Sequence, residues 1–354
     1  MMKKIYVHNK LISSKKPFVI AEAGVNHNGD INLAKKLIDV ASKLGVDAIK
    51  FQTYKTESLV TKEAGIAKYQ ENNLGTKVSQ QEMLKKLELS DKDFEELKKY
   101  CDSKDVLFLS TPHTTDAVDF LDHLVPAYKI GSGDLNNLPL LREVAKKNKP
   151  IILSTGMSFL KEVKLAVKAI TDINQQLIIL HCTSLYPCPL KDVNLAAMLT
   201  LMNEFDYPVG YSDHTLGIEV PLMAVSLGAV MIEKHFTIDR NMPGPDHKAS
   251  ATPEEIKSLI IRIREGDLEE PTAEVLGTDK KKPTDKELDS KKVVRKSIVS
   301  KRAMEKGHII TTSDLIIKRP GTGIPPEDLS KVIGTTVVKK IIKDKLIKWE
   351  DLEK

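Results

Sequence analysis

Val209-Gly-Tyr-Ser-Asp-His214 and Met231-Ile-Glu-Lys-His-Phe-Thr237 are the two stretches that say most about the fold and chemistry of this chain. Each begins with apolar or small residues, as a buried strand does, and ends in charged and metal-capable side chains. Charged groups at the end of a buried strand are unfavourable unless they are paired, bind a metal or serve a function. We therefore predict that His214 and His235 bind one divalent metal at the mouth of a barrel.

The pattern of these two stretches repeats along the chain. From Pro17 to about Phe236, apolar runs rich in Ile, Val and Leu alternate with amphipathic stretches, which predicts βαβ units and a parallel sheet. Eight such runs favour an α/β fold of the (β/α)8 TIM-barrel type over an open sheet. The predicted strands are 18–23, 48–52, 106–110, 128–131, 150–154, 177–182, 209–212 and 230–235.

The length of 354 residues is too great for one ordinary core, so a second, smaller domain is expected. The long gap at 55–88 is interpreted as an insertion on the active-site side, helical at 80–87. Polar runs and prolines mark a linker in which the lysines at 280–282 are interpreted as solvated. The predicted domains are an N-terminal segment (1–16), the barrel (17–265), the linker (266–290) and a small mixed domain (291–354) with strands at 293–299 and 337–342.

The composition excludes several classes of protein. Hydrophobic residues make up 41% of the chain and charged residues 29%, as in a globular protein. The net charge of +5 is small and spread out, so no nucleic-acid partner is expected. No apolar run is long enough to span a bilayer, so no membrane partner is expected either. The three cysteines form no CxxC pattern, and we expect a cytoplasmic location.

The ends of all eight predicted strands carry polar side chains. In a (β/α)8 barrel the C-terminal strand ends form the active site. Glycines at 131, 133 and 156 allow backbone N–H groups to approach an anion closely, and Glu22 and Glu233 offer an acid–base pair. Two histidines with nearby oxygen donors suit Mn²⁺ or a similar metal better than Ca²⁺. The side chains that can surround a phosphate and a carboxylate are Lys50, Lys129, Ser132, Ser154, Ser184, Tyr186 and Ser212.

Several longer motifs carry a resemblance to a known family. They are Ala21-Glu-Ala-Gly-Val-Asn-His-Asn-Gly29, Lys129-Ile-Gly-Ser-Gly133, Gly210-Tyr-Ser-Asp-His-Thr215, Ile232-Glu-Lys-His-Phe-Thr237 and Gly244-Pro-Asp-His-Lys-Ala-Ser250. With these motifs the chain resembles the sialic acid synthases. A later stretch, Lys318-Arg-Pro-Gly-Thr-Gly-Ile324, resembles the C-terminal antifreeze-like (SAF) domain of that family.

The resemblance implies that phosphoenolpyruvate condenses with an N-acetylated hexosamine and water to give a nine-carbon 2-keto sugar acid and phosphate. It also implies a domain-swapped homodimer, Mn²⁺ or another divalent metal such as Mg²⁺ at His214 and His235, and Glu22 as the catalytic acid/base. Implied phosphoenolpyruvate ligands are Lys50, Thr111, Lys129, Ser132, Ser154, Ser184, Tyr186 and Ser212. The implied sugar contacts are Gln52, Glu233, Asp246 and Arg319, the last reaching over from the partner's small domain to bind the acetamido group.

Alternatives remain for both the acceptor sugar and the class of reaction. N-acetylmannosamine, giving N-acetylneuraminate, is the first expectation for the acceptor. A 2,4-diacetamido-trideoxyhexose giving N,N'-diacetyllegionaminate is second, and the pseudaminic acid precursor is third. A Schiff-base aldolase would need a buried nucleophile such as Lys129 or Lys234. A non-catalytic binding protein is a different class, but it would not need eight polar strand ends.

Overall fold

A parallel barrel makes up the larger part of the molecule, seen in a computed structural model that describes residues 3–75 and 78–353. Its strands follow the predicted apolar runs to within two residues at either end, so the predicted TIM barrel is confirmed. Within the described residues the eight barrel strands are β1 (Phe18–Gly24), β2 (Ala48–Thr53), β3 (Leu107–Pro112), β4 (Tyr128–Ile130), β5 (Ile151–Ser154), β6 (Leu177–Cys182), β7 (Val209–Asp213) and β8 (Met231–His235).

The register between strands determines which side chains meet at the mouth. Hydrogen-bonded neighbours follow the order β3-β2-β1-β8-β7-β6-β5-β4, and β3 and β4 pack against each other to close the barrel. Glu22 of β1 is the register partner of Lys50 on one side and of His235 on the other. Glu233 of β8 pairs in the same way with Ser212 of β7.

An outer layer of helices covers the barrel. In α1, Asp30 caps the first turn by accepting a hydrogen bond from the Asn32 N–H, and Gly45 ends the helix in a left-handed conformation with φ of 78°. The apolar face of each helix packs on the strands, which is why these amphipathic stretches were recognisable in the sequence. The barrel helices are α1 (Ile31–Leu44), α2 (Asp91–Ser103), α3 (Thr115–Leu121), α4 (Leu138–Lys146), α5 (Leu160–Thr171), α6 (Ala196–Glu204), α7 (Glu219–Ser226) and α8 (Pro253–Glu265).

The two ends of the barrel are closed in different ways. At the N-terminal end of the strands, the short hairpin Tyr6–Val7 and Lys10–Leu11 contributes to an apolar cluster that also contains Phe18 and Met231. At the other end lies the predicted insertion, and its helix at 80–87 is confirmed. The insertion helices are Thr56–Leu59, Lys68–Leu74 and Gln80–Leu87.

The polar segment at 266–290 is more ordered than its composition suggests. It contains the helix Ala273–Leu276 and the start of α9 (Asp285–Val294). The interpretation of its lysines as solvated is wrong for Lys281, which is only 6% exposed. The reason is that this segment folds back on the barrel, where the Lys281 carbonyl accepts a hydrogen bond from the Leu160 N–H at 3.1 Å.

A small domain with its own apolar core follows α9. The strand predicted at 293–299 begins only at Ser297, because α9 continues to Val294, and the one predicted at 337–342 is limited to Thr336–Val337. Among the described residues, no helix is long and apolar enough to cross a membrane. The domain contains the antiparallel pairs Ser297–Ser300 with Leu315–Lys318 and Thr336–Val337 with Leu352–Glu353, and the helix Leu329–Val332.

Candidate active site

A single cavity at the mouth of the barrel brings together every side chain that the sequence predicts for the site. It is lined by the strand ends and the loops after them, by the insertion, by the helix Asp285–Val294 and by Arg319 of the small domain. Convergence was predicted from the topology, because the carboxyl ends of parallel strands meet on one face of a barrel. The predicted residues in its lining are Glu22, Lys50, Gln52, Thr111, Lys129, Ser132, Ser154, Ser184, Tyr186, Ser212, His214, Glu233, His235, Asp246 and Arg319.

Glu22 lies at the centre of a buried polar network. Its Oε2 lies 2.6 Å from the Lys50 ammonium, and its Oε1 accepts a hydrogen bond from Gln52 Nε2 at 3.1 Å. Lys50 also donates to Thr111 Oγ1 at 3.2 Å. Burial raises the pKa of Glu22 despite the Lys50 charge, and the negative charge of Glu233 adds to the rise. Glu22 therefore holds a proton more readily than an ordinary carboxyl group, as an acid/base residue requires.

Glu233 lies in a more positively charged environment than Glu22. Its Oε1 lies 3.1 Å from the Lys129 ammonium and accepts a hydrogen bond from Ser212 Oγ at 2.9 Å, and Lys50 lies 3.7 Å from Oε2. Burial alone would raise the pKa of Glu233, but the two ammonium groups outweigh it and lower the pKa to about 2. The site thus contains one carboxyl group that protonates readily and one that stays ionised.

Close-packed serines and a glycine form a second part of the cavity. Ser132 Oγ accepts a hydrogen bond from the Gly156 N–H at 2.9 Å, and a Cβ at position 156 would lie 2.2 Å from Ser184 Oγ, so only glycine fits. Ser154 Oγ is buried and has no hydrogen-bond partner in the part of the chain that the structure describes. Hydroxyl groups beside the ammonium of Lys129 suit a bound anion such as a phosphate or carboxylate.

The two histidines predicted to bind a metal lie side by side, with ring centroids 5.5 Å apart. His214 Nδ1–H donates to the Thr183 carbonyl at 2.7 Å, which leaves Nε2 with a free lone pair. Burial and the neighbouring His214 lower the pKa of His235 well below its ordinary value, and its buried Nδ1 has no partner among the described residues. Two adjacent imidazoles of this kind suit a divalent metal.

Within the described part of the chain, the side chains do not complete such a metal site by themselves. Over residues 3–75 and 78–353, no group of three His, Cys, Asp or Glu side chains is arranged to hold a metal. The remaining positions around a metal at His214 and His235 would therefore be filled by water or substrate oxygens, as is usual for a catalytic site.

Aromatic rings from the insertion and the barrel form one wall. Tyr186 lies with its ring centroid 4.0 Å from that of His214 and stacks on Tyr69 of the insertion at 5.0 Å. The Tyr69 hydroxyl donates to Asp246 Oδ1 at 3.4 Å. Burial and the charge of Glu22 raise the pKa of Asp246 to about 6. Tyr69 was not predicted as a site residue, because nothing in the sequence of the insertion relates it to the barrel mouth.

Arg319 reaches the cavity of its own chain, whereas the family resemblance implies that it comes from a partner subunit. Its N–H donates to the Leu59 carbonyl at 2.9 Å, and its carbonyl accepts from the Thr61 N–H at 3.0 Å. Its Nε is buried without a hydrogen-bond partner in the described residues, so part of the guanidinium is available to a ligand. The predicted domain-swapped homodimer stays a prediction.

Glu287 of α9 is a further residue beneath the site that the sequence interpretation missed. Its buried Oε1 accepts hydrogen bonds from the Met157 N–H at 2.9 Å and the Ser184 N–H at 2.8 Å, in the loops that follow β5 and β6. The available signal was the capping box formed with Thr284, which marks the start of a helix inside the supposed linker. That the helix docks against the site could not be read from this local pattern.

Family models and known proteins match most of this chain. The model of the NeuB family matches residues 37–271, and that of the SAF domain matches residues 295–353. An N,N'-diacetyllegionaminic acid synthase of Legionella pneumophila is 47% identical over 96% of both chains. A human N-acetylneuraminate-9-phosphate synthase is 35% identical over 94% of this chain and 92% of its own. The crystal structure of the spore coat polysaccharide biosynthesis protein SpsE of Bacillus subtilis has a TM-score of 0.85 and 32% identity over 99% of both chains.

Proposed function

Because the chain belongs to the NeuB family, whose members include sialic acid and legionaminic acid synthases, we propose that it condenses phosphoenolpyruvate with an N-acetylated hexosamine and water. The products are a nine-carbon 2-keto sugar acid and inorganic phosphate. The observation that carries the proposal is the row of alternating charges at Glu22, Lys50, Glu233 and Lys129, buried in the cavity that also contains the adjacent His214 and His235. A reaction with an anionic substrate, proton transfer and a carbonyl electrophile uses all of these groups.

The acceptor is proposed to be a 2,4-diacetamido-trideoxyhexose, which gives N,N'-diacetyllegionaminate. Support comes from the identity of 47% to the Legionella synthase, against 35% to the human N-acetylneuraminate-9-phosphate synthase. The sequence alone favours N-acetylmannosamine, which remains an alternative together with the pseudaminic acid precursor. A cytoplasmic location and a homodimer belong to the same proposal.

Binding of phosphoenolpyruvate is assigned to the basic and hydroxyl side chains of the cavity. Lys50 and Lys129 neutralise its phosphate and carboxylate charges, and Ser154 supplies a hydroxyl group. Both ammonium groups are buried and held by carboxylates, so they are oriented before the substrate arrives. Such preorganisation lowers the barrier, since the charges need little rearrangement during the reaction.

Glu22 carries the proton transfers. As the enol carbon attacks the sugar aldehyde, Glu22 in its protonated form gives its proton to the aldehyde oxygen. As a carboxylate it then takes a proton from the water that adds to carbon 2, and the tetrahedral centre expels phosphate by breaking its carbon–oxygen bond. His214 and His235 would hold a divalent metal, which would supply Lewis-acid polarisation of the sugar carbonyl.

Release of phosphate tests the proposal. The purified protein is mixed with phosphoenolpyruvate, Mn²⁺ and each of the three candidate sugars in turn. We expect phosphate release that depends on both substrates and is fastest with the 2,4-diacetamido-trideoxyhexose. Absence of release with every sugar would contradict the proposal, and a covalent adduct trapped by borohydride with pyruvate would favour the Schiff-base aldolase instead.

A further inference from the structure

Where the insertion helix Gln80–Leu87 borders the active-site cavity, most of the lining side chains are apolar and none is charged. Met83, Leu84 and Leu87, on one face of the insertion helix Gln80–Leu87, line the cavity and are each at most 7% exposed. Val25 completes this surface from the loop after β1. We call these four residues the apolar wall. Sugar hydroxyl groups have no hydrogen-bonding side chain to meet on it.

Gln80 is a buried polar side chain on the same helix as three residues of the apolar wall. Gln80 lines the same cavity and is only 1% exposed, and its Oε1 has no hydrogen-bond partner among the residues that the structure describes. A buried amide oxygen without a hydrogen-bond donor is unfavourable. Its persistence at the start of a helix that lines a binding cavity indicates that a ligand supplies the missing donor.

Gln80 is tied to Arg319 by a short run of backbone hydrogen bonds. The Gln80 N–H donates to the Ala64 carbonyl at 3.1 Å, and the Ala64 N–H donates to the Thr61 carbonyl at 3.2 Å. Thr61 in turn donates its N–H to the Arg319 carbonyl at 3.0 Å. The backbones of Gln80 and Arg319 are therefore connected, and both side chains line one cavity, as a site for two separate groups of one substrate requires.

We propose that Gln80 Oε1 accepts a hydrogen bond from the N–H of a second acetamido group on the acceptor sugar, and that the apolar wall contacts the acetyl methyl group and the deoxy carbon. The inference rests on the proposed function, because it identifies the acceptor of that reaction. Arg319 is left for the first acetamido group.

A singly acetylated hexose with a hydroxyl-rich tail fits this subsite less well. Its hydroxyl groups would lose water on the apolar wall and gain no partner, which is unfavourable. A site built around a specific hydrogen bond also discriminates against a substrate that lacks the hydrogen-bonding group, in the strongest cases by about 10⁴-fold. The amide and the wall thus select the same sugar for different reasons.

The test compares kcat/KM for the 2,4-diacetamido-trideoxyhexose with kcat/KM for N-acetylmannosamine in the full-length enzyme. In Gln80→Met, which keeps the length of the side chain but removes the amide, we expect this ratio to fall roughly a hundredfold. Gln81→Met is the matched control on the same helix, since Gln81 is partly exposed and outside the cavity lining, and there the ratio should stay as in the wild type. Thermal unfolding of both variants shows whether they are folded.

A second measurement on the wild type does not depend on any variant. With phosphoenolpyruvate present, the diacetamido sugar should raise Tm more than N-acetylmannosamine does at equal concentration. An equal or reversed rise in Tm, or an unchanged ratio in folded Gln80→Met, overturns the subsite and leaves the synthase function standing. Failure of the wild type to release phosphate with any of the sugars overturns the proposed function as well, so the two failures can be told apart.

Discussion

Glu22 and Glu233 lie at the same barrel mouth, but their pKa values are shifted in opposite directions. Glu22 has one close ammonium partner and a negatively charged neighbour, whereas Glu233 lies near two ammonium groups and a serine hydroxyl. Burial is common to both, so the difference between their pKa values comes from the number of positive neighbours. Separated pKa values of this kind are what assigns the acid/base role to Glu22.

Replacement of Glu22 by glutamine should separate binding from chemistry. The amide keeps the size of the side chain but cannot give and take the proton, so we expect kcat to fall by about 10²–10⁴. Phosphoenolpyruvate should still bind, because Lys50 and Lys129 remain. Steady-state kinetics and equilibrium binding of phosphoenolpyruvate measure the two quantities, and near-wild-type turnover would remove Glu22 from the mechanism.

Asp246 should control the activity at mildly acidic pH. Burial and the charge of Glu22 raise its pKa to about 6, while Tyr69 and the nearby His214 act in the opposite direction. Below that pH the carboxyl group is neutral and is a weaker acceptor for sugar hydroxyl groups, so kcat/KM for the sugar should rise as the pH increases through about 6. The profile of Asp246→Asn should lack this rise, and a profile that keeps it would assign the titration to another group.

At the level of elements, α9 links the chain after the barrel to the loops of the active site. Glu287 accepts from two backbone N–H groups in the loops after β5 and β6, which hold the hydroxyl groups of Ser154 and Ser184 in place. A buried carboxylate that satisfies two donors is costly to remove, because each unpaired N–H loses about 1–3 kcal/mol. Glu287 is therefore a positioning residue for the anion site.

Replacement of Glu287 by alanine should weaken phosphoenolpyruvate binding. We expect KM for phosphoenolpyruvate to rise roughly tenfold, with a smaller change in KM for the sugar, since the disturbed loops lie on the anion side. Asp289→Ala is the control, because this exposed carboxylate on the same helix pairs only with Lys292 in the described residues. Equal rises in both KM values would indicate a general loss of structure instead, and partial recovery in Glu287→Gln would support positioning.

The elements that the sequence predicted well are those with a local signal. Each barrel strand is an apolar run bounded by polar residues, and each strand end is polar. Both the barrel and the candidate site residues could therefore be predicted from the sequence. α9 has mainly charged residues and follows a proline-rich stretch, so its composition is typical of a linker. Its burial of Glu287 and the burial of Lys281 depend on docking against distant loops, which no local pattern encodes. The same holds for Tyr69 and Gln80 in the insertion.

For the whole molecule, the small domain completes the cavity by covering the barrel mouth. Lys296 forms an ion pair with Asp134 at 2.6 Å, and Arg319 hydrogen-bonds to the backbone on either side of Val60. A small domain exchanged with a second copy would make these contacts between the two subunits instead. The family resemblance predicts that two subunits exchange their small domains, whereas in the single chain the small domain contacts its own barrel.

Two inactive variants can distinguish a small domain that serves its own barrel from one that serves the barrel of a partner. Glu22→Gln and Arg319→Ala chains are co-expressed with different affinity tags, and the mixed dimers are isolated. The resemblance predicts that activity returns, because exchange of small domains would pair an intact barrel with an intact Arg319 in one of the two sites. Mixed dimers without activity would show that each small domain serves its own barrel, and each variant alone provides the baseline.

The fate of the bridging oxygen of phosphoenolpyruvate tests the central claim most directly. The enzyme is given phosphoenolpyruvate labelled with ¹⁸O between carbon 2 and phosphorus, together with the 2,4-diacetamido-trideoxyhexose, and the products are analysed by mass spectrometry. The account predicts an unlabelled nine-carbon 2-keto sugar acid and labelled inorganic phosphate, because water adds to carbon 2 and the carbon–oxygen bond breaks. Label retained in the organic product, or no condensation product, would contradict it.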